Sequence, residues 1–510
     1  MRAENTFRNL KVSTLAQLFN MFLSFISRTV FIHLLSTEYL GLSGLFTNVL
    51  SILALSDLGI GNAIIINLYK PLAEKDEDTI CKYMNFYARA YRIIGTVIIV
   101  FGLITMPFLN YIVKTDTDIP NLYIIYFLYV LNSAISYFCA YKRSIITADQ
   151  KEYMNVINRN VFLVLQNILQ IIFLLITKNY IVYISIMVIC TFLSNLKISQ
   201  VANKYYPYLE NNKSKLSMSE IKKLFRDLKA MMYHKFGNTI INSTDNIIIS
   251  SFLGVFWVGL YSNYSMIIGI ITTFALLIFS SASASIGNLN ATENSEKVFF
   301  IFRVMQFLGV WVYGFCSLCF IFLLNPFIEL WIGNKYVLDS KTMVIIVLAF
   351  CIKGVVSISG TFVDSLGLFW NTRYKPWIMA LLNIFISIIG AQIIGLRGVF
   401  IGTIMSYCLT SLWVDPYVLY KYKFKIRFIE YGKYLGRFIV QFLLIFVILL
   451  AIEFKIKNFI LRFIICIIVP NILFILLNIH TVEYNYLLSI VNKFIGSKLR
   501  YKLYEIKKRM

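Results

Sequence analysis

Long apolar segments separated by short polar ones recur along the whole 510-residue chain. A helix of about 20 mainly apolar residues crosses the roughly 30 Å hydrocarbon core of a bilayer. By this criterion the sequence predicts fourteen membrane-spanning helices, with twelve or thirteen as alternatives. The predicted spans are residues 12–35, 39–68, 91–112, 120–141, 160–177, 180–201, 231–253, 256–287, 299–324, 342–367, 377–395, 398–419, 435–453 and 458–480.

A polar stripe interrupts the first predicted span. Gln17, Asn20, Ser24 and Arg28 follow one another at intervals of three or four residues, so they lie on one face of a helix. An arginine at the centre of a membrane helix costs about 2.5–3.5 kcal/mol on insertion scales and persists mainly where it meets water, a partner or an anion. The stripe therefore predicts a polar and partly cationic interior.

The composition agrees with a membrane protein. Hydrophobic residues make up 59% of the chain and charged residues 14%, against about 45–50% and about 25% in soluble domains. The net charge of +23 raises the question of nucleic-acid binding. However, the basic residues concentrate in short segments at predicted membrane borders, which the positive-inside rule explains. We therefore predict no nucleic-acid partner and place both termini in the cytoplasm.

An internal repeat emerges when Gly41 is aligned with Gly259, an offset of 218 residues. The first two spans then superpose on the seventh and eighth, and four polar residues of the first span, Asn20, Ser24, Ser27 and Arg28, fall on Asn238, Asn242, Asp245 and Asn246. Transporters built from two such halves bind their substrates near the midplane between them. The predicted fold is an all-α integral membrane protein with two six-helix lobes and two added helices. Its parts are an N-terminal lobe (1–203), a cytoplasmic linker (204–230), a C-terminal lobe (231–420), and two further helices with a basic tail (421–510).

Other charged residues lie within predicted spans. Lys353, Ser357 and Asp364 share one face of the tenth span, where they either line a cavity or pair structurally. Asp57 either packs at a helix end beside glycines or contacts a substrate or ion. Asp245 either pairs with Arg28 or binds water and neighbouring amides.

The linker carries a helix-start signal. Ser217 and Glu220 have the spacing of a capping box and precede an apolar helical stripe. This pattern predicts a helix at the membrane surface that joins the two lobes and has no chemical role.

Three segments resemble a known family. The sequences YLGLSGLFTN (39–48), SDLGIG (56–61) and YKPLA (69–73) are similar to the start of Wzx-type polysaccharide flippases. That family belongs to the superfamily of MATE exporters and MurJ lipid flippases. The resemblance implies a flippase that moves an undecaprenyl-pyrophosphate-linked oligosaccharide from the cytoplasmic to the outer leaflet by alternating access, for cell-surface polysaccharide synthesis.

Such a cargo needs cations for its phosphates and hydroxyl or amide groups for its sugars. Arg28 and Lys353 are candidates for the phosphates. Intramembrane carboxylates are candidate sites for ion coupling or gating. The remaining cavity candidates are Gln17, Asn20, Ser24, Asn238, Asn242, Asp245 and Ser357, and the candidate ion sites are Asp57, Asp245 and Asp364.

The sequence predicts no metal and no cofactor other than a coupling ion, Na⁺ or H⁺. It lacks the G-x-x-x-x-G-K-[ST] phosphate loop that is typical of ATP hydrolysis. The expected partners are the lipid-linked oligosaccharide, membrane lipids and other polysaccharide-assembly proteins, with a monomer as the working unit in the bacterial cytoplasmic membrane. Two alternatives stay open: a MATE-like exporter of organic cations or drugs, and a multispan membrane enzyme of polysaccharide assembly.

Overall fold

The computed structural model describes residues 2–57, 60–115, 119–138, 140–211, 214–453, 458–490 and 492. Helices account for nearly all of them. In chain order these are α1 (Arg2–Leu34), α2 (Thr37–Leu53), α3 (Ile60–Glu74), α4 (Glu77–Thr105), α5 (Leu109–Ile112), α6 (Leu122–Phe138), α7 (Arg143–Ala148), α8 (Glu152–Thr177), α9 (Tyr180–Tyr205), α10 (Tyr208–Asn211), α11 (Met218–Ile248), α12 (Val255–Thr292), α13 (Ser295–Ile332), α14 (Ser340–Ser365), α15 (Lys375–Ile394), α16 (Leu396–Leu409), α17 (Ser411–Val418), α18 (Ile429–Glu453) and α19 (Phe459–Asn478).

Many of these helices match the dimensions of a bilayer. Within the described ranges, ten helices or helix pairs are long and apolar enough to cross a membrane, and a bent pair formed by α6 and residues 140–148 would make eleven. Their outward faces are rich in exposed leucine, isoleucine and phenylalanine, which suits contact with lipid tails. The prediction of an all-helical, multi-pass membrane protein is confirmed.

The three remaining predicted spans also coincide with helices, although these are not among the ten long apolar ones. Span 12–35 lies in α1, whose apolar part runs from Phe19 to Leu34. Span 39–68 is divided between α2 and α3 by a short turn at residues 54–57. Span 231–253 lies in α11, which carries many polar residues.

The described chain divides into two compact units. Unit 1 comprises Met1–Asn263 with Ala380–Val399, and unit 2 comprises Tyr264–Met379 with Phe400–Met510. Unit 1 therefore contains the whole predicted N-terminal lobe together with α11 and the beginning of α12. Lobe boundaries at 203 and 231 stay a prediction.

Inside unit 1, two glycine contacts follow the 218-residue offset. A Cβ on Gly41 would collide with the carbonyl oxygen of Val255, and a Cβ on Gly259 would collide with that of Thr37. Thr37 and Val255 are themselves related by the offset. The beginnings of α2 and α12 thus touch through equivalent residues in a reciprocal manner, as expected for halves related by a pseudo-twofold axis.

The predicted linker helix and the seventh span form one continuous helix, α11. It begins at a capping box in which Ser217 and Glu220 exchange hydrogen bonds, so the predicted helix start is confirmed. It ends in a π-turn before Gly254, whose φ of +108° is accessible mainly to glycine. The next amide, that of Val255, donates to the carbonyl of Lys114 at 2.8 Å, which anchors the beginning of α12.

Candidate substrate cavity

Arg28 is half-buried within unit 1. One guanidinium nitrogen, Nη1, donates to the hydroxyl oxygen of Ser262 at 3.2 Å. Its charge also interacts with three tyrosines, Tyr129, Tyr180 and Tyr183, of which the first two share a hydrogen bond of 3.0 Å between their hydroxyls. The immediate surroundings of this arginine are hydroxyl groups, so its positive charge can act on an anion. The alternative pairing with Asp245 stays a prediction.

The contact of Arg28 has an equivalent across the repeat. Adding 218 to Arg28 gives Asn246, and adding 218 to Gly44 gives Ser262. The Asn246 side-chain amide donates to the carbonyl of Gly44 at 3.5 Å. The same position of the duplicated helix pair is therefore held by an arginine in one half and by an amide in the other.

The other stripe residues of α1 lie near Arg28 along the helix. Gln17 and Ser24 are half-buried. The amide of Asn20 donates to the side-chain oxygen of Asn160 on α8. The predicted polar face of α1 thus turns partly towards α8 within unit 1.

The predicted residues of α11 differ in exposure. Asp245 is buried and interacts electrostatically with Tyr261. Asn242 is exposed. The side chain of Asn238 lies outside the described residues. A role for these residues in binding cargo stays a prediction.

The second predicted stripe lies on α14 in unit 2. The ammonium of Lys353 is 5.7 Å from the centre of the Tyr407 ring, within the range of a cation–π contact. The Ser357 hydroxyl donates to the carbonyl of Gly354 at 2.7 Å, and Asp364 is exposed. Arg28 and Lys353 thus belong to different compact units.

A polar cavity of about 480 Å³ opens in unit 1, a volume within the usual range of about 300–1,000 Å³ for ligand pockets. We call it the Asp57 cavity. Helices α3, α4, α7, α8 and α11 contribute to its wall, together with the turn that carries Asp57. Its principal side chains are Asp57, Tyr87, Tyr91, Arg143, Arg159 and Lys235.

An ion pair spans part of this cavity. The Lys235 ammonium lies 2.7 Å from Oδ2 of Asp57, and the two side chains are 38% and 14% exposed. The other carboxylate oxygen, Oδ1, is buried and accepts no hydrogen bond from the residues that the structure describes. Asp57, one of the three candidate ion sites, is therefore paired with a lysine.

Lys235, Arg143 and Arg159 were missed by the sequence reasoning. Lys235 lies inside predicted span 231–253, so the argument that selected Arg28 also applies to it. The two arginines lie between the fourth and fifth predicted spans, where the positive-inside rule already explains basic residues. No helical periodicity connects the three side chains, because they come from three different helices, α7, α8 and α11.

Unit 2 contains a cavity of the opposite chemistry. It has a volume of about 360 Å³ and a lining that is almost entirely apolar. We call it the apolar groove. Helices α13, α14 and α18 form it, mainly through Val310, Gly314, Leu348, Val355, Phe438 and Phe442. The ring of Phe442 packs directly on Gly314, where no side chain intervenes.

Comparison with known proteins gives a consistent result. The profile of a family described as "Polysaccharide biosynthesis protein" matches residues 6–284. No curated protein matches the chain.

Several solved structures share the fold. The lipid II flippase MurJ, in an inward closed conformation, matches with a TM-score of 0.68 and 14% identity, over 91% of this chain and 98% of its own. An inward-facing multidrug resistance MATE family transporter of the MOP superfamily matches with a TM-score of 0.60 and 14% identity, over 81% of this chain and 98% of its own. The MATE multidrug transporter DinF-BH matches with a TM-score of 0.58 and 17% identity, over 82% of this chain and 97% of its own. The predicted resemblance to this superfamily is confirmed.

Proposed function

The chain belongs to the polysaccharide biosynthesis protein family, and we propose that it is a flippase for an undecaprenyl-pyrophosphate-linked oligosaccharide. It would carry the saccharide from the cytoplasmic to the outer leaflet of a bacterial cytoplasmic membrane by alternating access. The observation that carries the proposal is Arg28. A half-buried arginine that is bonded to a hydroxyl retains charge for a phosphate.

The apolar groove supports the same proposal. A polyprenyl chain is a long hydrocarbon, and burying each of its CH₂ groups contributes about 0.8 kcal/mol. The groove offers valine, leucine and phenylalanine side chains for such contacts and almost no polar surface. The protein thus presents cationic and apolar sites that suit the two parts of a lipid-linked sugar diphosphate.

The remaining parts of the proposal concern the energy source, the orientation in the membrane and the oligomeric state. Transport would draw on an ion gradient or on the membrane potential, with Na⁺ or H⁺ as the coupling ion and Asp57, Asp245 and Asp364 as candidate sites. Both termini would lie in the cytoplasm, and a monomer would be the working unit. Chemical conversion of the saccharide would fall to other proteins of the assembly pathway.

The test is to deplete the protein from cells and to quantify undecaprenyl-linked intermediates by mass spectrometry. We expect a complete diphosphate-linked oligosaccharide to accumulate on the cytoplasmic leaflet while surface polymer is lost, and restoring the chain should reverse both. An unchanged lipid-linked pool with normal surface polymer would instead favour export of organic cations. A truncated intermediate would favour an enzyme.

A further inference from the structure

The Asp57 cavity contains basic groups that its own acidic groups do not fully neutralise. Three basic side chains line it, Arg143, Arg159 and Lys235, against the two carboxylates of Asp57 and Glu152. Lys235 is paired with Asp57. Glu152 accepts hydrogen bonds from the hydroxyl of Thr147 and the amide of Asn155, and its charge attracts Arg143. With Lys235 paired to Asp57, one carboxylate remains for two arginines, so the cavity keeps a net positive charge.

The two arginines are held differently. Arg143 donates to the side-chain oxygen of Asn195, which fixes one edge of its guanidinium. Arg159 is exposed and, among the described residues, makes no hydrogen bond or ion pair. The two charges repel each other. An anion between them would relieve this repulsion, and two guanidinium groups suit the several oxygens of a phosphate or diphosphate.

The same cavity also contains unused acceptors. Oδ1 of Asp57 and Oδ1 of Asn155 are buried and have no hydrogen-bond partner among the described residues. Asn155 is only 9% exposed. Leaving such an oxygen unsatisfied costs about 1–3 kcal/mol, so a ligand that supplies hydroxyl donors would recover that cost.

Tyrosine rings complete the wall. Tyr87 and Tyr91 lie with ring centres 4.1 Å apart, and Tyr91 meets Tyr137 edge to face at 5.1 Å. The hydroxyls of Tyr87 and Tyr91 point towards Gly61, since a Cβ there would lie 2.7 Å and 3.1 Å from them. Gly61 thus leaves room for hydroxyl groups that can donate or accept.

Free arginine charge, unused acceptors and tyrosine hydroxyls together match a sugar joined to phosphate. We propose that the Asp57 cavity is a further anion position, in addition to that of Arg28, and that it binds a glycosyl diphosphate, with the diphosphate at Arg143 and Arg159 and the sugar hydroxyls at Asp57 and Asn155. This inference rests on the proposed function, which selects the lipid-linked form as the source. A soluble nucleotide sugar has the same chemistry and is the alternative source that the test separates.

The test measures equilibrium binding to the full chain in lipid nanodiscs. The labelled probe is undecaprenyl diphospho-N-acetylglucosamine, and the competitors are sugar-free undecaprenyl diphosphate and UDP-N-acetylglucosamine. We expect Arg159→Gln to weaken binding of the labelled probe about 10- to 100-fold, the equivalent of a hydrogen bond to a charged group. Arg89→Gln, an exposed arginine outside the cavity, is the matched control and should leave the dissociation constant unchanged.

A second variant separates sugar from diphosphate. Asp57→Ala removes the unused acceptor and frees Lys235, so it should weaken the sugar-bearing lipid while sugar-free undecaprenyl diphosphate binds equally or more tightly. Equal weakening of both lipids would overturn the assignment of the sugar to Asp57. Competition by UDP-N-acetylglucosamine as strong as that of the lipid would overturn the lipid source.

The two proposals can fail separately. If the wild-type chain binds neither undecaprenyl lipid and its depletion leaves lipid-linked intermediates unchanged, the flippase proposal itself fails. If wild type binds and translocates the lipid while Arg159→Gln and Asp57→Ala do so equally well, only the assignment of this cavity fails. Thermal unfolding of each purified variant excludes loss of folding as the cause of weak binding.

Discussion

The Asp57 cavity and the apolar groove are comparable in size and opposite in chemistry. The first has a volume of about 480 Å³ and lies in unit 1 among charged groups and tyrosines. The second has a volume of about 360 Å³ and lies in unit 2 among valine, leucine and phenylalanine. Under the proposed function, the first would suit the sugar diphosphate of the cargo and the second its polyprenyl chain.

The largest effect is expected from removing charge in unit 1. Arg28→Ala should slow translocation of a lipid-linked oligosaccharide in proteoliposomes by about 100-fold, since a hydrogen bond to a charged group contributes about 1.5–3 kcal/mol. Arg28→Lys should recover part of the rate if charge alone suffices, and little if two parallel hydrogen bonds to phosphate are required. A normal rate in Arg28→Ala would show that this residue does not bind the phosphate of the cargo.

A smaller effect is expected from filling the apolar groove. Leu348 lines it and is 43% exposed, so Leu348→Trp should fit into the fold while occupying space for a hydrocarbon chain. We expect KM for the long-chain lipid to rise about fivefold, which corresponds to losing contact with one or two CH₂ groups. A short-chain analogue should be affected less.

Leu330→Trp provides the control for the groove. Leu330 lies on α13, is 68% exposed and does not line the groove. The KM of the Leu330→Trp variant for the long-chain lipid should match that of wild type. Equal changes in both variants would mean that added bulk, rather than the groove, causes the effect.

A third prediction concerns the scaffold of the polar unit. Gly41→Ala and Gly259→Ala each place a Cβ against a backbone carbonyl, so each should lower the free energy of unfolding by about 1–3 kcal/mol. Gly269→Ala, on the same helix as Gly259 but with open space around it, should be neutral or stabilising. Thermal or denaturant unfolding measures all three. Strongly unequal losses at Gly41 and Gly259 would argue against a reciprocal contact.

The smallest effect is expected at the beginning of α11, the helix that carries Lys235 into the Asp57 cavity. Ser217→Ala should destabilise its first turn by about 1 kcal/mol, as loss of an N-cap typically does. Hydrogen exchange of the first-turn amides measures this change. Asp76→Ala, which removes the cap of α4, should leave α11 protected.

The same turn should respond to acid. Hydrogen bonds from the hydroxyl and the backbone amide of Ser217 lower the pKa of the Glu220 carboxyl. The contribution of the ionised Glu220 carboxylate to the stability of this turn is therefore fully present above the pKa that Glu220 has in the unfolded chain. The contribution is lost as pH falls through the lower pKa of the folded state. Protection that does not change with pH in this range would contradict a role for the carboxylate.

The sequence was sufficient to locate most of the membrane helices. The length of an apolar run limits where a span can lie, so predicted span 180–201 falls on α9 and span 458–480 on α19. Arg28 could be found because the polar residues around it repeat with the period of one helix. These predictions depend on neighbours in the sequence.

The Asp57 cavity could not be found in this way. Asp57 and Lys235 form their ion pair across 178 residues, and Arg143 and Tyr87 reach the same space from two other helices. No periodicity connects residues that meet only through tertiary packing. Their contribution to the cavity became visible only from the arrangement of the helices.

The reciprocal contacts in unit 1 have a consequence for how the duplicated chain diverged. Two identical halves would offer a ligand on their axis two equivalent poses, related by a half turn. Position 28 now holds arginine while its counterpart, position 246, holds asparagine. Under the proposed function, this divergence would distinguish the two poses, because an anionic end would be attracted only to the side that carries the arginine. The duplicated helix pair would thereby give its cargo one preferred orientation.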